Sequence, residues 1–352
     1  MRFFNTAGPN DPARHYTLPA TRRLAEENVM RLIEQQSYFV LHAPRQTGKT
    51  TTMTCLVREL TESGKYVAAL ISMEAGAGLK NDLGDAESAI LNGWRAAIEH
   101  SLPADLQPPP WPDAPAGHRI GSALDDWAES APRPLALVLD DIDALEDQTL
   151  VSVLCQLRSG FNCRPESFPA SLALIGWREE RNHRLMYGGR TPFNVVERSL
   201  TLPNFTPGEM MELLTEHTAE TGQVFTAEAL QTVFNLTQGQ PWLVNALAKV
   251  CVEELVKDIN LPIKAEHIEQ AKEILIERRQ THLGQLADKL REERVRRVVE
   301  AMLAGEIPYG ATQDDFEHVV DLGLCRKERG RGLEIANPIY REVVTSTLLG
   351  GM

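Results

Sequence analysis

The chain lacks any pairing of cysteines in its sequence. Its five cysteines, at positions 55, 155, 163, 251 and 325, are scattered and make no Cys-x-x-Cys, so structural zinc and dithiol redox chemistry have little support. The odd count and the apolar surroundings of Cys55 and Cys251 suit a reducing compartment, and a cytoplasmic location is expected. No apolar run approaches the roughly 18 residues that cross a bilayer, so no membrane partner is expected. The opening, Met1 to Pro9, has no continuous apolar core of the kind a secretory signal needs. Positive charge is not in excess either. There are 36 Lys and Arg against 49 Asp and Glu, a net charge of −13, which weakens any reading in which the whole surface holds nucleic acid. Internal repeats and low-complexity tracts are also missing.

What is present is an ordinary globular composition, 43% hydrophobic and 24% charged over 352 residues, enough for two or three domains with substantial cores. Its most informative stretch is Ala43-Pro44-Arg45-Gln46-Thr47-Gly48-Lys49-Thr50. It follows the apolar run Tyr38 to His42 and opens a helix-like segment from Thr51 to Glu62. Strand, turn, Gly-Lys-Thr and helix together specify a nucleoside triphosphate site. The turn aims backbone N–H groups inward, and with the helix N-terminus these form an anion nest. Pro44, Arg45, Gln46, Thr47, Gly48 and Thr51 are the expected phosphate-binding positions. Lys49 is expected to reach the β- and γ-phosphates, and the Thr50 hydroxyl to hold Mg²⁺. Ala43 stands where a first glycine is usual, which is acceptable if that position does not need a positive φ.

A second motif lies about ninety residues on. The apolar strand Leu135 to Leu139 ends in Asp140-Asp141. A buried parallel strand delivers its last residues to the carboxyl edge of the sheet, where ligands bind. Asp140 is expected to bind the metal and Asp141 to orient or deprotonate the attacking water. Asp143 reads instead as a helix-capping acid. The strand Ser171 to Gly176 is followed by Arg178, which would supply fixed positive charge to the transition state. Asn-Lys-x-Asp, the guanine-reading motif, is absent, which favours ATP over GTP.

Strands alternating with helices over residues 37–202 predict a mainly parallel sheet covered on both faces, an α/β P-loop NTPase core. A strand at 195–202 should be an edge. Residues 103–117 hold six prolines and read as a surface connection. After Leu202 the pattern is helical. Thr206-Pro207-Gly208-Glu209 is a capping box with proline at the first helical position. Helices are predicted near 226–237, 240–258, 265–280, 285–304 and 312–322. A hairpin over 324–336 and a closing helix from Pro338 to Leu348 complete a winged-helix-like order. The predicted domains are 1–202, the core with its lead-in; 203–284, a helical lid; and 285–352, the winged-helix-like domain.

The phosphate loop, Leu139 to Leu145, the arginine after the fourth strand and the turn Gly239-Gln240-Pro241 together resemble AAA-like ATPases of the STAND and archaeal-ATPase type. The opening FFNTAGPNDPARHY, with HAPRQTGKT and TQGQPWLVNALA, resembles a bacterial AAA-like ATP-binding subfamily, over 1 to about 348. The resemblance implies an ATPase core, a helical lid and a winged helix, with ATP and Mg²⁺ as cofactors. It implies that Lys49 and Thr50 serve the first motif, Asp140 the metal and Arg178 the first sensor. Pro241 would belong to a nucleotide-sensing Gly-x-Pro turn, and His15 and Tyr16 would flank the adenine. Asp141 falls where the family usually has glutamate, one methylene longer, so slow turnover is expected. The implied function is a nucleotide-driven conformational switch acting through a protein partner or self-association. The alternatives are a DNA-associated AAA+ ATPase and a nucleotide-binding scaffold without hydrolysis. Arg291, Arg294, Arg296 and Arg297 favour DNA, but residues 285–352 hold 10 basic against 12 acidic side chains. Arg181, Arg184 and Arg190 are candidates for an arginine finger.

Overall fold

Apolar strands too continuous for a half-exposed sheet must be covered on both faces. A computed structural model of the chain bears this out; it describes all residues other than 26, 80–81, 177–192, 279–280, 307–308, 329–331 and 351–352. Two compact units result. One comprises Pro19–His42 and Lys49–Leu202, the other Met1–Leu18, Ala43–Gly48 and Pro203–Met352.

The first unit holds the sheet. Short helices α1 (Ala20–Arg23) and α2 (Val29–Glu34) lead to β1 (Tyr38–His42) and, past the loop, α3 (Lys49–Glu62). Then come β2 (Val67–Ser72), α4 (Leu83–Ser101), α5 (Arg119–Ser130), β3 (Leu135–Asp140), α6 (Asp147–Gly160), β4 (Ser171–Ile175) and β5 (Val196–Thr201). The strand order is β2-β3-β4-β1-β5, and every pairing is parallel. β3 and β4 are buried at every position. β5, with Glu197 and Arg198 on its exposed stretch, is the expected edge. Parallel pairing brings the ends of β1, β2, β3 and β4 to one edge of the sheet.

Trp94 and Trp127 are fully buried on the helices that cover this sheet. The Trp94 indole also donates to the Ser72 carbonyl at 3.0 Å, fastening the end of β2. The proline-rich segment is fixed to α4. Arg95 donates to the Pro108 carbonyl at 2.9 Å and lies 4.3 Å over the Trp111 ring. Glu87, wholly buried, accepts from the Gly117 N–H at 2.7 Å and from the Gln156 amide at 2.6 Å.

The second unit is mainly helical: α7 (Pro207–Thr221), α8 (Ala227–Thr237), α9 (Pro241–Val250) with a wider turn over Cys251–Leu255, and α10 (Ala265–Glu277). It continues with α11 (Thr281–Lys289), α12 (Glu293–Ala304), α13 (Gln313–Asp321), the antiparallel hairpin β6 (Cys325–Glu328) and β7 (Gly332–Ile335), and α14 (Pro338–Gly350). The capping box closes as predicted: Thr206 Oγ1 accepts from the Glu209 N–H at 3.2 Å, and the Glu209 carboxylate accepts from the Thr206 N–H at 2.8 Å. The single helix predicted over 285–304 is two. Leu290, Arg291 and Glu292 donate to the carbonyls three residues back, which ends α11. The buried positions explain the break. They run 283, 286, 290 and then 295, 298, 299, a phase slip that one continuous helix cannot bury on one face. Residues 1–18 join this unit through Phe4 and Tyr16, both fully buried in its core.

Candidate functional site

The loop 43–48 joins β1 to α3. Gln46 (φ 61°) and Gly48 (φ 83°) are left-handed, and Thr47 between them is not. That alternation turns successive N–H groups toward one side and makes an anion-binding concavity. Ala43 is not among the residues of positive φ, so the missing first glycine carries no backbone strain. Thr47 is buried, and its hydroxyl donates to the Pro44 carbonyl at 2.8 Å, closing the loop on itself.

The loop also rests on its own unit. The Gln46 carbonyl accepts from Gln240 Nε2 at 3.0 Å. Pro44 lies against Gly323, where an added Cβ would come within 2.9 Å of the Pro44 Cβ. Arg45 is exposed along a cleft shared with His282, Gln285, Lys289 and Leu324.

In the sheet unit, Lys49 begins α3, with Thr50 and Thr51 in its first turn. The Thr50 hydroxyl donates to Asp140 Oδ2 at 3.1 Å. Asp140, the last residue of β3, is 8% exposed. Burial, and then the neighbouring Asp141 charge, push its carboxyl above the ordinary carboxylate range; the Asp141 N–H, the Thr50 hydroxyl and the Lys49 ammonium oppose this. A buried carboxylate that is short of compensating charge favours a cation beside it. Hydroxyl and carboxylate are hard oxygen donors, the type Mg²⁺ takes together with phosphate and water. Among the described residues no group of three or more His, Cys, Asp or Glu is arranged to hold a metal, so the fit is to a metal that phosphate oxygens help to coordinate.

Asp141 adopts a left-handed backbone, φ 56°. Its N–H donates to Asp140 Oδ1 at 3.0 Å, and its Oδ2 accepts from the Ser72 hydroxyl at 3.0 Å. The two adjacent carboxylates thus face different partners. Ser72 was not anticipated from the sequence. The available signal was a hydroxyl ending the strand that pairs with β3, with Ser72 in register with Asp140. Asp143 does not cap a helix; it sits in the single turn Ile142–Ala144. A Cβ added at Gly176, just past β4, would lie 2.4 Å from its Oδ1. Glycine there makes room for the carboxylate.

Residues 24–164 match the family model of the AAA ATPase domain. This stretch carries an AAA-like P-loop ATPase domain. No curated protein matches the chain. Among solved structures, the Walker-type ATPase of Pyrococcus abyssi is similar in fold, with a TM-score of 0.59 at 14% identity, covering 97% of this chain and 99% of that one. The Aeropyrum pernix ORC2 protein, solved as ADPNP–ADP complexes, has a TM-score of 0.53 at 15% identity over 94% and 93%. At such identities the likeness is one of fold.

The remaining expected residues lie outside the matched ATPase stretch. Arg178 falls outside the described residues, as do Arg181, Arg184 and Arg190. His15 accepts from the Asp11 N–H at 2.8 Å through Nδ1 and packs edge-on to Phe3. Tyr16 is fully buried, its hydroxyl 3.2 Å from His217 and its ring against Phe4. Pro241 is the first residue of α9 and is buried. Gly239 before it has φ 72°, and an added Cβ would sit 1.9 Å from the Phe205 carbonyl oxygen.

Proposed function

We propose that the chain binds ATP with Mg²⁺, hydrolyses it slowly and works as a nucleotide-driven conformational switch. The observation that carries this reading is the Thr50 hydroxyl held 3.1 Å from Asp140 Oδ2, in the first turn of the helix that follows a loop of alternating hand. In that site Lys49 neutralises charge on the β- and γ-phosphates. Thr50 and Asp140 would hold Mg²⁺, which supplies charge neutralisation on the phosphate oxygens when bound. Asp141 orients the attacking water and accepts its proton. Its short side chain, tied by the Ser72 hydroxyl at 3.0 Å, supports slow turnover. Arg178 would add positive charge to the transition state, and the Gly239–Pro241 turn would respond to the nucleotide. A shift between nucleotide states needs only a few kcal/mol of differential binding. The output would pass to a protein partner or a second copy of the chain.

Phosphate release by wild type, Lys49→Ala and Asp141→Asn tests the reading, with nucleotide binding measured alongside. Release above the Lys49→Ala baseline, with binding but no release in Asp141→Asn, supports it. Wild-type release equal to Lys49→Ala, with binding intact, leaves a non-hydrolysing scaffold. Absence of binding overturns the nucleotide reading altogether.

A DNA-associated ATPase is the second reading. The order α12, α13, β6–β7 hairpin and α14, helix, helix, hairpin, helix, supports it as a winged-helix-like arrangement. Against it, the arginines of α12 and its approach are engaged with acids. Arg297 lies 2.9 Å from Glu293, Arg294 3.4 Å from Asp314, Arg291 3.5 Å from Asp288 and Arg296 3.9 Å from Glu300. Duplex affinity measured across salt decides it: phosphate contacts give a steep negative slope, and a flat, weak response removes this reading.

A further inference from the structure

Gln240 occupies the N-cap of α9, a position where serine, threonine, aspartate and asparagine are preferred and glutamine is not. Its side chain explains the choice. Oε1 accepts from the Leu243 N–H at 2.6 Å, which is the cap, while Nε2 donates to the Gln46 carbonyl at 3.0 Å. The orientation of the amide is dictated by its partners, since Leu243 N–H can only donate and the Gln46 carbonyl can only accept. The residue is 4% exposed; its bond to Leu243 is buried and its bond to the Gln46 carbonyl is partly buried. A shorter capping side chain would serve α9 without reaching the loop.

The bond to Gln46 has a consequence one atom further on. In a trans peptide the carbonyl of one residue and the N–H of the next point in opposite directions within one plane. Anchoring the Gln46 carbonyl therefore sets the direction of the Thr47 N–H. That N–H lies between the two left-handed residues, Gln46 and Gly48, whose alternation with Thr47 builds the concavity. Gln46 is a non-glycine residue in the left-handed backbone state, which its Cβ disfavours, so the peptide benefits from an external anchor.

We infer that Gln240 is a positioning residue for the phosphate loop: it presets the Gln46–Thr47 peptide for an anionic phosphate, and reports phosphate occupancy to the N-terminus of α9. The inference rests on the nucleotide reading of the loop. Coupling is reciprocal. A phosphate that orders the Thr47 N–H strengthens the carbonyl's hold on Gln240, and a firm Gln240 strengthens phosphate binding. On this inference the route from phosphate to α9 runs through the loop backbone.

The test uses full-length Gln240→Glu. Glutamate keeps an acceptor for the Leu243 N–H and adds charge that suits a helix N-terminus, but it can no longer donate to Gln46. Amide exchange of residues 45–50 is measured without ligand, and Mg·ADP and Mg·ATP affinities are measured beside wild type and Lys49→Ala. The expected result is a chain that still folds without ligand, with faster exchange in the loop and affinity for both nucleotides reduced about tenfold, the scale of one lost hydrogen bond. Wild-type exchange and affinity in Gln240→Glu would overturn the inference and leave Gln240 as a helix cap only. If glutamate unsettles the fold, Gln240→Ser keeps a capping acceptor for the N-terminus of α9 without reaching Gln46 and is read in the same way. Wild type that fails to bind nucleotide would overturn the nucleotide reading and this inference with it. Failure of the inference alone appears as tight wild-type binding that Lys49→Ala loses and Gln240→Glu keeps.

Discussion

Two side chains show how the same carboxylate chemistry is divided by its neighbours. Asp140 faces the Thr50 hydroxyl and Asp141 faces Ser72. Removing the Ser72 hydroxyl frees Asp141 Oδ2 to accept from the attacking water instead. Ser72→Ala is therefore expected to raise phosphate release about two- to fivefold, the scale of one such bond, with nucleotide affinity unchanged; steady-state release and a binding isotherm check it. His282 offers a second prediction. Burial lowers its pKa from 6.5 to about 4, and its Nε2 lies 2.6 Å from the Tyr340 hydroxyl. Between these two pH values the unfolded chain binds a proton that the folded chain refuses, so stability falls as pH drops from 6.5 toward 4. The loss should reach about 3 kcal/mol at the low end of that window. His282→Gln should flatten this slope in denaturant titrations. The loop, Lys49, Thr50 and the paired acids were legible in the sequence because local spacing carries them. Ser72 and Gln240 were not identified, since their roles depend on strand register and on a partner 194 residues away.

Elements were legible where one period ran without interruption. β3 and β4 read as strands because every position is buried, and α7 read as a helix from its capping box. The α11–α12 break was missed because helix propensity continues across Arg291 to Arg294 while the buried face does not. The proline-rich segment 103–117 read as a connection, but nothing in its sequence disclosed that Glu87 waits beneath it. Glu87→Ala should cost about 2–3 kcal/mol, because the Gly117 N–H and the Gln156 amide would lose their buried acceptor; urea titration measures it. The turn into α9 is as constrained. Gly239→Ala needs both a left-handed alanine and relief of a 1.9 Å approach to the Phe205 carbonyl oxygen. Its cost should exceed about 3 kcal/mol, since the left-handed backbone alone takes 1–2, and the loss should appear as a lowered melting temperature.

At the scale of the whole chain, the parallel sheet and its edge strand followed from the alternation of patterns, whereas the order β2-β3-β4-β1-β5 came only with the structure; the fold likeness to two archaeal proteins spans nearly all of the chain. Composition gave no sign that residues 1–18 and 43–48 belong with residues 203–352. Association between stretches so distant is written in tertiary packing, such as Phe4 and Tyr16 in one core with Leu213 and Phe225. No described helix is long and apolar enough to cross a membrane. If the loop binds nucleotide as proposed, ATP at about 100 times its dissociation constant should add about 2.7 kcal/mol to the stability of the wild type. Lys49→Ala should lose that gain in a thermal scan.

The bond between Gln46 and Gln240 also sets a clock. The sheet's last strand, β5, ends at Thr201, so a nascent chain can complete the sheet before the anchor of its phosphate loop has been made. The anchor lies 194 residues beyond the loop, and at 5–20 residues per second it arrives roughly 10–40 s after the loop itself. During that interval the chain carries the loop sequence with the Gln46 peptide unanchored. On the proposed reading, full affinity for a nucleotide would thus be acquired late in synthesis, after the acids and the lysine have been made.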